Sequence, residues 1–175
     1  MSKTKKLCLD AMGVALFVVL TMCVQVPVFE NYYLCLGYIA MAFYTYYLGT
    51  KSGAVVGTLG CILYCLITSG LRGMPGWALG NLVIAIICGI VCRMIKEYDK
   101  KAIRLLVINA AVIISVAIGI LVVKSSVEVV LYGIPFMVRV ATNSFAFVAN
   151  VIVLMLGFSI CTQYESVIRK QLKYY

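Results

Sequence analysis

The residues best suited to chemistry in this chain are Arg139, Asn143 and Asn150, which lie within one hydrophobic stretch. At about 100° per helical residue, the three fall within about 40° of one another, with Thr142 and Ala146 beside them. Cationic and amide side chains at membrane depth are expensive and normally face a protein interior or a cavity. Arg139 sits near one end of the stretch and Asn150 roughly halfway along it. Together they could line a pocket. The competing reading has Arg139 snorkelling to lipid headgroups while the amides bridge helices.

A second pair is Trp77 and Asn81, four residues apart and so on one helical face, in Pro75-Gly-Trp77-Ala-Leu-Gly80-Asn81. Pro75 suits the first turn of a helix. Trp77 is either an interface anchor or, with Asn81, a stacking wall with a hydrogen-bonding partner. Glu30, Asn31, Tyr32, Tyr33, Arg72, Lys124, Glu128 and Tyr132 fall in the connections at the same end as Arg139, so polar and aromatic groups concentrate in one half.

No catalytic site is expected. The chain has no His, no paired carboxylates at membrane depth, no GxSxG motif and no phosphate-cradling loop. No cofactor is expected either. The eight cysteines contain no CxxC, and Cys61/Cys65 and Cys88/Cys92 are i,i+4 pairs within apolar runs. They read as small buried packing residues, and no metal site is predicted.

These residues must be held by membrane helices. Hydrophobic residues make up 64% of the 175, and the mean hydropathy is +1.07, which places the chain among integral membrane proteins. The net charge of +9 is spread between apolar segments. That distribution favours anionic lipid headgroups over nucleic acid.

Six segments approach the roughly 20 residues needed to cross a bilayer: approximately 7–28, 33–48, 53–69, 77–94, 105–123 and 138–161. The second is short and tyrosine-rich. The first follows a basic start like a signal peptide, but it is longer than an ordinary h-region and lacks a small-x-small cleavage site. Leu20-Thr-Met-Cys23 is a poor lipobox, and the segment is read as a membrane helix. Connections are brief, so residues 1–175 form a single integral membrane domain.

Basic residues fix the expected orientation. Lys3, Lys5, Lys6, Lys51, Arg93, Lys96, Lys100, Lys101, Arg104, Arg169, Lys170 and Lys173 fall on one side of a six-span topology, and Arg72, Lys124 and Arg139 on the other. The positive-inside rule puts both termini in the cytoplasm. The expected fold is an all-α, six-transmembrane-helix bundle in a bacterial cell membrane.

Small residues mark where helices approach. Gly53, Gly57 and Gly60 have GxxxG-like spacing and are read as packing. Ala11 and Ala15 form a small-xxx-small ridge on the first helix. Such a ridge lets another backbone come close, either from the same chain or from a partner.

The chain resembles the substrate-binding S components of energy-coupling-factor (ECF) vitamin importers over nearly its whole length. The resemblance rests on the basic start, Ala11-x-x-x-Ala15, Leu36-Gly37, Gly49, Gly53, Gly57, Gly60, Pro75-Gly-Trp77, Gly80-Asn81 and Gly89. It is most similar to the riboflavin-type and hydroxymethylpyrimidine-type branch, where an acidic residue often follows the Leu-Gly; Tyr38 stands there instead. The resemblance implies a six-helix bundle that binds a vitamin or precursor at its outer face. The first loop would act as a lid, and the last three helices would form most of the pocket. It also implies docking through the Ala11/Ala15 face onto a transmembrane coupling protein driven by two cytoplasmic ATPases. The S component would topple in the membrane to release its cargo. On the residues' own evidence the substrate-binding set is Trp77, Asn81, Arg139, Asn143 and Asn150. The alternatives are a self-sufficient small transporter or channel, for which only Asp10 and Arg139 could couple an ion, and a membrane assembly subunit without a pocket.

Overall fold

The computed structural model describes residues 3–23, 27–29, 32–33, 35–68, 71, 73–95, 100–165 and 167–168. Helices dominate. They are α1 (Lys3–Cys23), α2 (Gly37–Tyr47), α3 (Thr50–Ile67), α4 (Met74–Met94), α5 (Lys101–Tyr132) and α6 (Phe136–Gln163). Between α1 and α2, the strands β1 (Pro27–Phe29) and β2 (Tyr32–Tyr33) pair antiparallel. This ribbon lies against α6 and, among the described residues, departs from the expected all-α fold.

Five helices (α1, α3, α4, α5 and α6) are long and apolar enough to cross a membrane. The 11-residue α2 is about 16 Å long, half the ~30 Å hydrocarbon core. The second stretch, expected to be helical over 33–48, is therefore much shorter as a helix. It lies deep in the bundle, where Tyr38, Ala40, Met41, Ala42, Tyr44 and Tyr46 are buried against α1, α3, α4 and α6. A helix apolar on all sides belongs inside a packed core.

The largest boundary difference is in α5. The sequence puts Lys124, Glu128 and Tyr132 in a connection after residue 123, whereas the helix runs on to Tyr132. It does so through π-helical turns at Ala117–Lys124. Lys124 and Glu128 are buried. Charged residues on either side of Ser125-Ser126 look like a chain leaving the bilayer, but here partners on α6 satisfy them and the helix continues.

Chain direction sorts the bundle into two ends. At the first, Tyr44 Oη donates to Leu9 O at 2.8 Å and Tyr46 Oη donates to Glu165 Oε2 at 3.0 Å. Arg104 also pairs with Glu165 there, at 2.8 Å. The starts of α1 and α5 and the finishes of α2 and α6 therefore meet, together with the described basic residues Lys3, Lys5, Lys6, Lys51, Arg93, Lys100 and Lys101. The second end holds the finish of α1 and the starts of α2, α4 and α6. Midway, α4 and α5 cross closely: a Cβ on Gly80 would lie 2.6 Å from Gly119 O. Only glycine fits such a crossing. In the same way Gly57 and Gly60, expected to serve packing, abut Met41 and Phe17.

Candidate functional site

Two polar clusters lie on the second-end side of the bundle, and both draw on α6. The deeper one centres on Tyr38, which has no exposed surface. Its hydroxyl donates to Asn81 Oδ1 at 2.6 Å. It accepts from Trp77 Nε1 at 2.8 Å and from Asn150 Nδ2 at 3.3 Å. A phenolic hydroxyl has one proton to give and can accept twice, so this one is saturated. Asn81 completes the network by donating from Nδ2 to Gly57 O at 3.0 Å. Ring contacts brace it, with Phe17 edge-on to Tyr38 at 6.0 Å and Tyr64 edge-on to Trp77 at 5.8 Å.

Local sequence explains each placement. Trp77 and Asn81 share a face one turn into α4, behind Pro75. Tyr38 opens α2 directly after Gly37, which packs so tightly on α1 that a Cβ would lie 2.7 Å from Phe17 O. The indole turns inward to Tyr38, so Trp77 does not use its N–H at the membrane surface as an interface anchor would.

The second cluster is charged and joins α5 to α6. Lys124 Nζ donates to Asn143 Oδ1 at 2.9 Å. Asn143 Nδ2 donates to Ser125 Oγ and to Glu128 Oε2, each at 3.0 Å. Glu128 faces two cations, Lys124 Nζ at 3.8 Å and Arg139 Nε at 3.8 Å. Lys124, Ser125, Glu128 and Asn143 are all buried. The Arg139 side chain keeps 23% exposure and lies 6.0 Å from the Tyr132 ring centroid. Its Nε is itself buried and has no hydrogen-bond partner among the described residues. Arg139 thus bends towards Glu128.

The five residues singled out from sequence therefore divide. Trp77, Asn81 and Asn150 meet at Tyr38, while Arg139 and Asn143 meet at Lys124 and Glu128. Asn143 and Asn150 share one face of α6, seven residues apart, which separates the clusters by ~10 Å along the helix. The deeper cluster draws on α2, α3, α4 and α6, and the charged one joins α5 to α6. Four contributors, Tyr38, Lys124, Ser125 and Glu128, were not singled out as pocket residues. Tyr38 hides in a run of tyrosines, and its one signal is its place after Leu36-Gly37. Lys124 and Glu128 were assigned to a connection, although their i,i+4 spacing could have marked one helical face. Glu30, Asn31 and Arg72 lie outside the described residues, as do the side chains of Tyr32 and Tyr33.

On α1, Gly13, Phe17, Val18 and Thr21 face the core. Ala11 and Ala15 face outward, between the exposed side chains of Leu7, Met12, Leu16 and Val19. Their ridge is not used for packing within the described bundle.

A family model described as ECF-type riboflavin transporter, S component, matches residues 1–166. No curated protein matches the chain.

Proposed function

The chain belongs to the family of ECF-type riboflavin transporter S components, a transporter family and not an enzyme family, and from that premise we propose how it works. It captures a vitamin at the outer face of a bacterial cell membrane, and riboflavin is the first ligand to test. The vitamin passes inward when the chain docks on a transmembrane coupling protein powered by two cytoplasmic ATPases.

The observation that carries this reading is the convergence of Tyr38, Trp77, Asn81 and Asn150 in the bundle interior. Flat heteroaromatic rings need an aromatic wall and a few directed donors and acceptors, and this group supplies both where a cargo takes over part of its mutual hydrogen bonding. Riboflavin has such a ring system and a chain of hydroxyls. The ~10 Å between Asn150 and Asn143 suits an elongated cargo with its rings at the deeper cluster and its polar chain at the charged one. The ribbon of β1 and β2 against α6 is placed to cover that cargo as a lid.

Basic residues support the orientation. The end gathering Lys3, Lys5, Lys6, Lys51, Arg93, Lys100, Lys101 and Arg104 faces the cytoplasm, with both termini there. The buried α2 is read as the second of six crossings. The outward ridge of Ala11 and Ala15 supports docking, since small side chains let a partner helix approach.

The test is titration of the purified protein with riboflavin, followed by emission from Trp77, the chain's single tryptophan. Saturable quenching with one-to-one stoichiometry is expected. Absence of binding, with a different small molecule released from the purified protein, would replace riboflavin as the cargo.

A further inference from the structure

Hydrogen bonds have a direction, and in the deeper cluster that direction is dictated from one end. Gly57 O can only accept, so Asn81 turns its Nδ2 towards it, at 3.0 Å. Turned over, the same amide would press its Oδ1 against a carbonyl oxygen. With Nδ2 committed, Asn81 offers Oδ1 to Tyr38, whose hydroxyl donates to it at 2.6 Å. That spends the only proton a phenolic hydroxyl has to give. The indole N–H of Trp77 can only donate, and it fills one acceptor position of the Tyr38 oxygen at 2.8 Å. Asn150 is left with the second acceptor position. It must therefore present Nδ2, as it does at 3.3 Å.

The direction carries through to Asn150 Oδ1. With Nδ2 held by Tyr38, this oxygen projects away from the hydroxyl and makes no hydrogen bond among the described residues. Tyr38 and Asn81 have no exposed surface, whereas Asn150 keeps 5%. An amide that only bridges helices spends both its ends. Asn81 does so between Tyr38 and Gly57, and Asn143 does so between Lys124 and Glu128. Asn109 Oδ1 also lacks a partner, but among the described residues no bond to its Nδ2 fixes which way that amide faces. Which way an amide faces is decided by its hydrogen-bond network, and at Asn150 the network leaves one choice.

We infer that Gly57, Asn81 and Tyr38 set the polarity of Asn150, so that the pocket offers an acceptor there and selects a cargo with a ring N–H. Tyr38 and Asn81 are then positioning residues, and Asn150 Oδ1 is the atom that meets the cargo. This rests on the vitamin-capture reading and deepens it. Riboflavin has the required group, a single ring N–H at N3 of its imide edge. A ring of the same shape with an acceptor or a methyl group at that place would leave Asn150 Oδ1 unpaired.

The experiment compares riboflavin with 3-methylriboflavin, which carries a methyl group in place of that hydrogen. Both are titrated by calorimetry on the purified full chain, and the ratio of their dissociation constants is read. The parent is expected to prefer riboflavin by at least about tenfold. A methyl group also adds bulk, so two variants that keep Asn150 separate direction from size. Asn81→Leu frees the Tyr38 proton for Asn150 Oδ1, which turns Nδ2 towards the cargo. Tyr38→Phe removes the hydroxyl and lets Asn150 face either way. Each should lower the preference for riboflavin by at least about threefold, Asn81→Leu the more. A purely structural loss weakens both flavins alike, and misfolded protein lowers the amplitude of each titration; neither moves the ratio. A ratio within about twofold of the parent in both variants, or a parent that binds the two flavins alike, would overturn the inference and leave vitamin capture standing. If the parent binds neither flavin, the riboflavin reading falls first and takes this one with it.

Discussion

The bundle carries a buried or nearly buried carboxylate towards each end, and the two are treated differently. Glu165 is matched: Arg104 Nη1 lies 2.8 Å away, and Tyr46 Oη donates to the same oxygen at 3.0 Å. That tie joins α5, α6 and α2 where the basic residues gather. Glu128 instead has two cations at 3.8 Å and its short contact is with the amide of Asn143, at 3.0 Å. Short, balanced contacts serve to hold helices together. Longer ones hold less tightly, and at Glu128 a bridging amide, Asn143, completes them.

The largest effect is expected where neither carboxylate is touched. Ala15→Trp puts a large ring on the outward ridge of α1 and should abolish ATP-driven uptake and recovery of the complex with the coupling protein. Riboflavin binding by the isolated chain should stay nearly intact. Loss of binding as well would mean that the substitution reaches the interior, and the separation of docking face from binding core would fail.

Next comes the matched end. Arg104→Ala takes the cation away from Glu165, whose side chain is only 12% exposed, and should cost about 3 kcal/mol. The thermal unfolding midpoint in detergent should fall clearly, while protein still folded at low temperature binds riboflavin as the parent does. A drop in affinity without a drop in stability would reverse the roles assigned to the two ends.

Smaller still are the amides of α6. Asn150→Ala removes a donor to Tyr38, and Asn143→Ala removes the group bridging Lys124 and Glu128. If each amide meets the cargo, its loss leaves a group of the cargo unpaired at a cost of about 1–3 kcal/mol, and calorimetry should record a weakening of roughly ten- to hundredfold. If both variants, together with Arg139→Ala, fold and bind like the parent, the pocket lies elsewhere.

The smallest expected change is Tyr46→Phe. It deletes one hydrogen bond to Glu165 while Arg104 remains, so stability should fall by about 1 kcal/mol with no change in flavin affinity. Reporter fusions at Lys6, Lys100 and Lys173 test the frame beneath all of this. All three should read as cytoplasmic, and an external reading at either terminus would invert the ends.

Much of this could be read from local pattern. Apolar runs of helical length found the five long helices, because bilayer thickness constrains length directly. One-face spacing found Arg139, Asn143 and Asn150 on α6, because helical geometry fixes which residues share a side whatever surrounds them. The same rule put Trp77 beside Asn81, and small residues marked both the internal crossings and the ridge of α1.

What the chain alone left open was which of these faces meet. Tyr38 lies in a run of apolar and tyrosine residues that reads as uniform packing, and nothing local says that its hydroxyl will gather donors from α4 and α6. Lys124 and Glu128 resembled an exit from the membrane because the Asn143 that makes their burial tolerable stands on the next helix. The sequence by itself determined the helices and the side on which each polar group projects, since those depend on residue spacing. Only the tertiary structure decided the division into an aromatic–amide cluster and a charged one, since a buried polar group is stable only where another element supplies its partner.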